Sequence, residues 1–119
     1  MSFSLDISKW AKKAGLTMDE AARGIKIELF NSVIRDTRVD TGRLRGNWQT
    51  SVGMPETGTT ERLDPTGAKA ISEVVKTVKA DTVDYMTNNL PYAEVWEEKD
   101  AMIGRNVARI RQIVKKAVK

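Results

Sequence analysis

Apolar residues recur along this chain with two different periods, and the switches between them mark out its elements. Ala22, Ile25, Leu29 and Val33 fall three or four positions apart, flanked by Ala21, Phe30 and Ile34. That is the spacing of a helix with a broad buried stripe. Thr17-Met18-Asp19-Glu20 stands in front of it as a capping box: the Thr17 hydroxyl can accept from the Glu20 N–H while the Glu20 carboxylate reaches back. Asp19 and Glu20 also suit the positive end of the helix dipole. The pattern predicts a helix from Thr17 to about Thr37, roughly 30 Å long at 1.5 Å per residue, as the spine of the domain. Gly24 in its middle predicts a close helix–sheet contact. Upstream, Leu5, Trp10 and Ala14 can share one face of a short helix over Ser4–Ala14, with Gly15 as its stop.

Val39-Asp40-Thr41-Gly42 interrupts the helical period with turn residues. Leu44–Met54 then reads as a strand, with Trp48, Thr50 and Val52 alternating with Asn47, Gln49 and Ser51. Residues 53–67 hold Pro55, Gly58, Pro65 and Gly67 among threonines and acids, and Leu63 is their strongly apolar residue. This predicts a flexible loop, long enough to reach away from the body. Asp64 or Thr66 can cap a second helix over Ala68–Lys79. Its stripe is Ile71, Val74, Val75 and Val78, with Glu73, Lys76 and Lys79 facing out. Thr82–Thr87 returns as a strand, Asn88-Asn89-Leu90-Pro91 turns, and Tyr92–Glu98 forms a short helix. Ile103, Val107, Ile110, Val114 and Ala117 make a narrow seam on a last helix over Met102–Val118. The expected class is α+β: one domain over 1–119, with a small antiparallel β-sheet packed on the long helix and further helices flanking it at the N- and C-terminal ends.

Composition narrows the chemistry. A chain of 119 residues favours a single domain with a modest core. It has no Cys and no His. Disulfides, Cys nucleophiles and His bases are therefore excluded, and structural zinc is not expected. No apolar run approaches the roughly 20 residues of a membrane span, and Met1-Ser2-Phe3-Ser4 lacks the opening of a signal peptide. The expectation is a protein made in a reducing cytoplasm, with no membrane partner. Glycines 53, 58 and 67 are too widely spaced for a phosphate loop. The acids Glu94, Glu97, Glu98 and Asp100 lack the ligand spacing and central Gly of a calcium loop. The pair Asp81 and Asp84 comes with no partner that would tune it. No enzyme, metal or cofactor is expected.

The net charge of +4 is unevenly placed. Residues 102–119 carry Arg105, Arg109, Arg111, Lys115, Lys116 and Lys119 and no acid, directly after the acidic run Glu94 to Asp100. Two unlike charged faces suggest complementary docking, within the chain or between copies, or else two solvated helix faces. The basic helix admits an alternative, a small nucleic-acid-binding module whose Arg105, Arg109 and Lys116 meet phosphates. These residues ring the apolar seam rather than form a dense patch, and no helix-turn-helix precedes them.

Two stretches carry a resemblance. Val39-Asp40-Thr41-Gly42-Arg43-Leu44-Arg45-Gly46-Asn47-Trp48 and Tyr85-Met86-Thr87-Asn88-Asn89-Leu90-Pro91-Tyr92-Ala93-Glu94 together resemble the tail-component family of long-tailed bacteriophages, the neck, tail-completion and tail-terminator proteins of the head–tail junction. The order of elements is similar from about Ala21 to Val114. The sequence departs from the family pattern after Ala93, where Val95-Trp96-Glu97-Glu98 replaces the usual Glu-Tyr-Gly. The resemblance implies a non-enzymatic structural protein assembled in the host cytoplasm and located in the virion. It implies a ring homo-oligomer, commonly six-fold. Its expected partners are the connector or head-completion protein and the tail-tube protein, with non-specific contact to DNA in the channel. Heterologous ring contacts need two unlike faces. Arg43, Arg45, Glu94, Glu97, Glu98, Asp100, Arg105, Arg109 and Lys116 are the candidate interface residues.

Overall fold

A computed structural model describes Lys12 and residues 15–117, with side chains through Lys115. The helix expected over Ser4–Ala14 lies outside the described residues, apart from Lys12. Seven elements follow. Helix α1 spans Met18–Asp36, a helical turn α2 Arg43–Gly46, strand β1 Gln49–Val52 and helix α3 Ala68–Thr77. Strand β2 spans Asp84–Thr87, helix α4 Ala93–Asp100 and helix α5 Met102–Ala117. The class is α+β, with a two-stranded antiparallel sheet.

The capping box at the start of α1 forms as its spacing predicts. Thr17 Oγ1 accepts from the Glu20 N–H at 3.1 Å, and Glu20 Oε1 accepts from the Thr17 N–H at 3.4 Å. Helix α1 packs against both α3 and α5. Its Val33 and Ile34 join Trp48, Ala70, Val74, Val78 and Met102 in the main core. Ile25 meets Ile110 and Val114 in a second cluster along the α1–α5 seam. The Trp48 indole N–H donates to Thr37 Oγ1 at 2.8 Å, and that hydroxyl donates to the Val33 carbonyl at 2.7 Å. The polar end of the largest core side chain is thereby satisfied where α1 stops.

β1 pairs with β2 in the register Gln49↔Thr87, Thr50↔Met86, Ser51↔Tyr85 and Val52↔Asp84. The strand expected over Leu44–Met54 is shorter than predicted, because its first residues are the turn α2. Gly42, at φ 91°, accepts from the N–H groups of both Gly46 and Asp64, at 2.9 and 3.0 Å. A Cβ on Gly42 would lie 2.6 Å from the Pro65 nitrogen, and one on Gly46 would lie 2.2 Å from the Arg62 carbonyl oxygen. The return of the loop onto this turn, not the local alternation, sets where the strand begins. Trp48 and Thr50 are buried as expected, whereas Val52 at the far end is exposed.

Three further expectations need correction. Gly24 is exposed and has no atom within 4 Å of where a Cβ would sit, so it marks no close contact. Val75 is exposed, whereas Val74 and, just past the end of α3, Val78 are buried as expected, with Ala70 buried beside them. Glu73, expected to face out, is half-buried: it accepts from the Thr50 N–H at 2.7 Å and pairs with Arg62 at 3.0 Å. Both candidate caps of α3 are used. Asp64 Oδ2 accepts from the Ala70 N–H at 2.8 Å and Thr66 Oγ1 from the Ala68 N–H at 3.3 Å, around a Gly67 N-cap.

Segment 53–67 lies along the body. Asn47, fully buried, donates to the Thr60 carbonyl at 3.0 Å and accepts from the Thr60 N–H at 2.9 Å. Gln49 and Asn89 both donate to the Gly58 carbonyl, at 2.7 and 2.9 Å. Arg62 donates to the carbonyls of Gly46 and Trp48, at 2.9 and 2.8 Å.

Candidate interaction surface

The expected acidic and basic faces meet at the junction of α4 and α5. Ala101, at φ 49°, joins the two helices in a left-handed conformation that non-glycine residues seldom adopt. Across this corner the Glu97 carboxylate accepts from the backbone N–H groups of Ile103 and Gly104, at 2.9 and 3.3 Å. It thus satisfies free donors in the first turn of α5. Asp100 takes a two-pronged contact from Arg38, at 2.9 and 3.0 Å. The same guanidinium stacks 3.8 Å from the Trp96 ring centroid, with Lys99 5.1 Å from that centroid. The hydrogen bond from Arg38 holds the Asp100 carboxyl below the usual carboxylate range, and its charge adds to the effect while burial opposes it. Arg38 is raised in turn, chiefly by that hydrogen bond.

Two basic residues of α5 pair at the surface with acids of α1. Arg105 pairs with Asp36 at 3.3 Å and Arg109 with Glu28 at 3.2 Å, both acids belonging to α1. Arg109 also donates to Ser32 Oγ and to Asn106 Oδ1. Arg45 donates to the carbonyls of Arg35, Thr37 and Pro65, closing the C-terminal end of α1 against the loop. The side chain of Lys116 lies outside the described residues.

Of the candidate interface residues, Glu97, Asp100, Arg105, Arg109 and Arg45 are therefore engaged within the chain. Glu94 and Glu98 stay exposed on α4 without an ion pair among the described residues. Arg43 is half-buried, and its Nε has no hydrogen-bond partner among the described residues. Among those residues no group of three or more acids converges as a metal cage requires.

Two hollows flank α4. One, of about 170 Å³, lies between Arg43, Thr41 and Leu44 on one side and Tyr92 and Trp96 on the other. The second, of about 270 Å³, has Trp48 and Met86 on one side, Ala93, Met102 and Ile103 on the other, and Glu94 with Glu97 among its lining residues. Arg38, Asn47, Arg62 and Glu73, which organise these surroundings, carry no pattern that sets them apart in the sequence. Apart from the Asn47 bond to the Arg43 carbonyl, four positions away, their roles depend on partners 11 to 62 positions away.

No protein-family model, curated protein or solved structure matches this chain.

Proposed function

We propose that this chain is a structural protein of a long-tailed bacteriophage virion, a subunit of a ring at the head–tail junction. One observation carries this reading. The two stretches that bear the resemblance, 39–48 and 85–94, are far apart in sequence yet build one unit. Asn88 Nδ2 donates to the Leu44 carbonyl at 2.8 Å, and Leu44, Leu90 and Ala93 form a single buried cluster with Trp96 packed against it.

The surface agrees with a subunit that meets unlike neighbours. Glu94 and Glu98 project from α4 beside exposed Tyr92 and Val95, while Lys115 and Ile113 are exposed toward the far end of α5. Acidic and basic ends with apolar residues beside each suit a head-to-tail contact, which closes into a ring when the rotation allows. Two of the three residues that the nucleic-acid alternative would use, Arg105 and Arg109, pair with acids of α1.

Native mass spectrometry and negative-stain microscopy, on the protein alone and mixed with a tail-tube or connector protein, test the proposal. A closed ring is the expected product, lost in the double variant Glu94→Lys, Glu98→Lys while its circular dichroism is unchanged. A chain that stays monomeric and joins neither partner would overturn it.

A further inference from the structure

The two edges of the β-ribbon are treated differently. On β1 the outer edge is closed: the Thr50 N–H donates to Glu73 at 2.7 Å and the Trp48 carbonyl accepts from Arg62 at 2.8 Å. Because the Thr50 N–H points away from β2, the Thr50–Met86 pair is the non-hydrogen-bonded kind. The Gly53 N–H to the Val83 carbonyl, at 2.8 Å, fits the same alternation. It follows that the Met86 N–H and C=O point outward from the far side of β2. No hydrogen bond to either occurs among the described residues, and no third strand covers them. An open edge of this kind is a template for another strand.

Beside that edge lies the hollow of about 270 Å³. Drug-sized ligands occupy roughly 300–1,000 Å³, so this space suits a side chain or two better than a cofactor. A residue added opposite Met86 in an antiparallel strand would exchange both backbone hydrogen bonds with it. Its side chain would then lie on the Met86 side of the sheet, which is the side of the hollow. No Lys or Arg lines the hollow. Glu97 is held by α5 N–H groups, whereas Glu94 is exposed and has no partner among the described residues.

We propose that the β2 edge and this hollow form a docking site for an extended, basic segment of another protein. The segment adds as a third strand on Met86, places an apolar side chain between Met86, Met102 and Ile103, and sets a Lys or Arg beside Glu94. The acidic lining selects for basic sequence, and the free N–H and C=O of Met86 select for extended backbone. This site is built by a single copy of the chain and needs no ring, although it shares Glu94 with the acidic face proposed for the ring contact.

The test is a titration of the full-length, 15N-labelled protein with three synthetic peptides. The first alternates Lys with Val and Leu. The second is the same peptide N-methylated at the amides that would face β2. The third has Glu in place of Lys. The expected result is saturable binding of the first peptide with shifts at the Met86 amide and its neighbours. N-methylation, or the exchange of Lys for Glu, should weaken binding by about tenfold or more. Glu94→Gln should weaken the first peptide several-fold with the fold unchanged by circular dichroism. The proposal is overturned if the N-methylated or the acidic peptide binds as well as the first, or if the shifts map elsewhere, for example to α5. It is also overturned if the protein alone shows concentration-dependent shifts at Met86, since a second copy would then be the occupant.

Discussion

Asn47 is the sharpest place to test how this chain is held together. Its side chain is fully buried and makes three hydrogen bonds to backbone: to the Arg43 carbonyl at 2.8 Å, to the Thr60 carbonyl at 3.0 Å and from the Thr60 N–H at 2.9 Å. It therefore closes the C-terminal side of α2 and pins the middle of segment 53–67 at once. Each such bond is worth about 0.5–1.5 kcal/mol net, with a further cost where a partner is left dry. Thr60 and Arg43 are half-buried, so water can reach part of what Asn47→Ala exposes. The expected loss is then about 2–3 kcal/mol, a sizeable share of the roughly 5–15 kcal/mol that holds a typical domain. Asn47→Asp keeps the acceptor for the Thr60 N–H but turns both donated bonds into oxygen–oxygen contacts. It should destabilise at least as much as the alanine variant at neutral pH. Urea unfolding followed by tryptophan fluorescence, to which buried Trp48 contributes, with circular dichroism as a second probe, measures both. Asn89→Ala is the control: it also removes two bonds to the segment, to Glu56 and Gly58, but from an exposed position, and should cost about 0.5 kcal/mol or less. If Asn47→Ala lies within about 0.5 kcal/mol of the parent, or Asn89→Ala costs as much as it does, then burial of this network is not what holds the segment.

Other substitutions probe separate parts of the same logic. Gly46→Ala places a Cβ 2.2 Å from the backbone oxygen of Arg62, so it should cost about 3 kcal/mol or prevent folding. Gly24→Ala, with no atom within 4 Å, should instead stabilise by about 1 kcal/mol through helix propensity; thermal melts of the two give opposite signs. Lys26→Met leaves the Asp84 carboxylate, whose side chain is 1% exposed, without its cation and should cost about 3–5 kcal/mol. Adding Asp84→Asn should recover part of that loss in a double-mutant cycle. Glu97→Ala removes the acceptor for the first N–H groups of α5 and should cost about 1 kcal/mol, with Glu97→Gln between it and the parent in urea. Because the folded Asp100 carboxyl is held below its unfolded value, chiefly by the Arg38 hydrogen bond, its contribution is present above the unfolded pKa. It is lost as pH falls through the folded one. Melting temperatures measured down the acid range should fall less steeply for Asp100→Asn than for the parent, and an unchanged slope would contradict the pairing.

What was legible in advance was whatever local chemistry determines. The capping box at Thr17 and Glu20, the stripe through Ile25 and Val33, and the seam of Val107, Ile110 and Val114 all depend on residues within a few turns of one another. They stand in the structure where the pattern put them. The start of β1 was not legible, because it is set by the approach of Arg62 and Pro65 to Gly46 and Gly42, which no local period encodes. Glu73 misled for a related reason. A carboxylate opposite an apolar stripe reads as solvent-facing, yet here it answers the Thr50 N–H and Arg62. The charge switch between 94–100 and 102–119 was visible as composition. Its consequence was not, since the acids that meet Arg105 and Arg109 lie on α1, at Asp36 and Glu28.

Part of the excess of positive charge follows from what several of these cations bind. A two-stranded ribbon is marginal by itself, and every helix leaves carbonyls unpaired at its C-terminal end. In this chain basic side chains answer those carbonyls. Arg23 donates to the carbonyls of Val75 and Val78 at the end of α3, at 2.8 and 3.0 Å. Lys26 reaches those of Lys79 and Thr82, at 2.8 and 2.6 Å, and Arg45 those of Arg35 and Thr37, at 2.8 and 2.7 Å. A carbonyl is an acceptor without a formal charge, so each contact of this kind uses a cation and needs no matching acid. A chain of 20 basic and 16 acidic residues can thus meet many of its own structural needs with the surplus. Positive charge counted from the sequence then overstates what is free to meet phosphate. Glu94, exposed, without a partner among the described residues and lining the hollow beside the open edge of β2, is the better guide to what this surface binds.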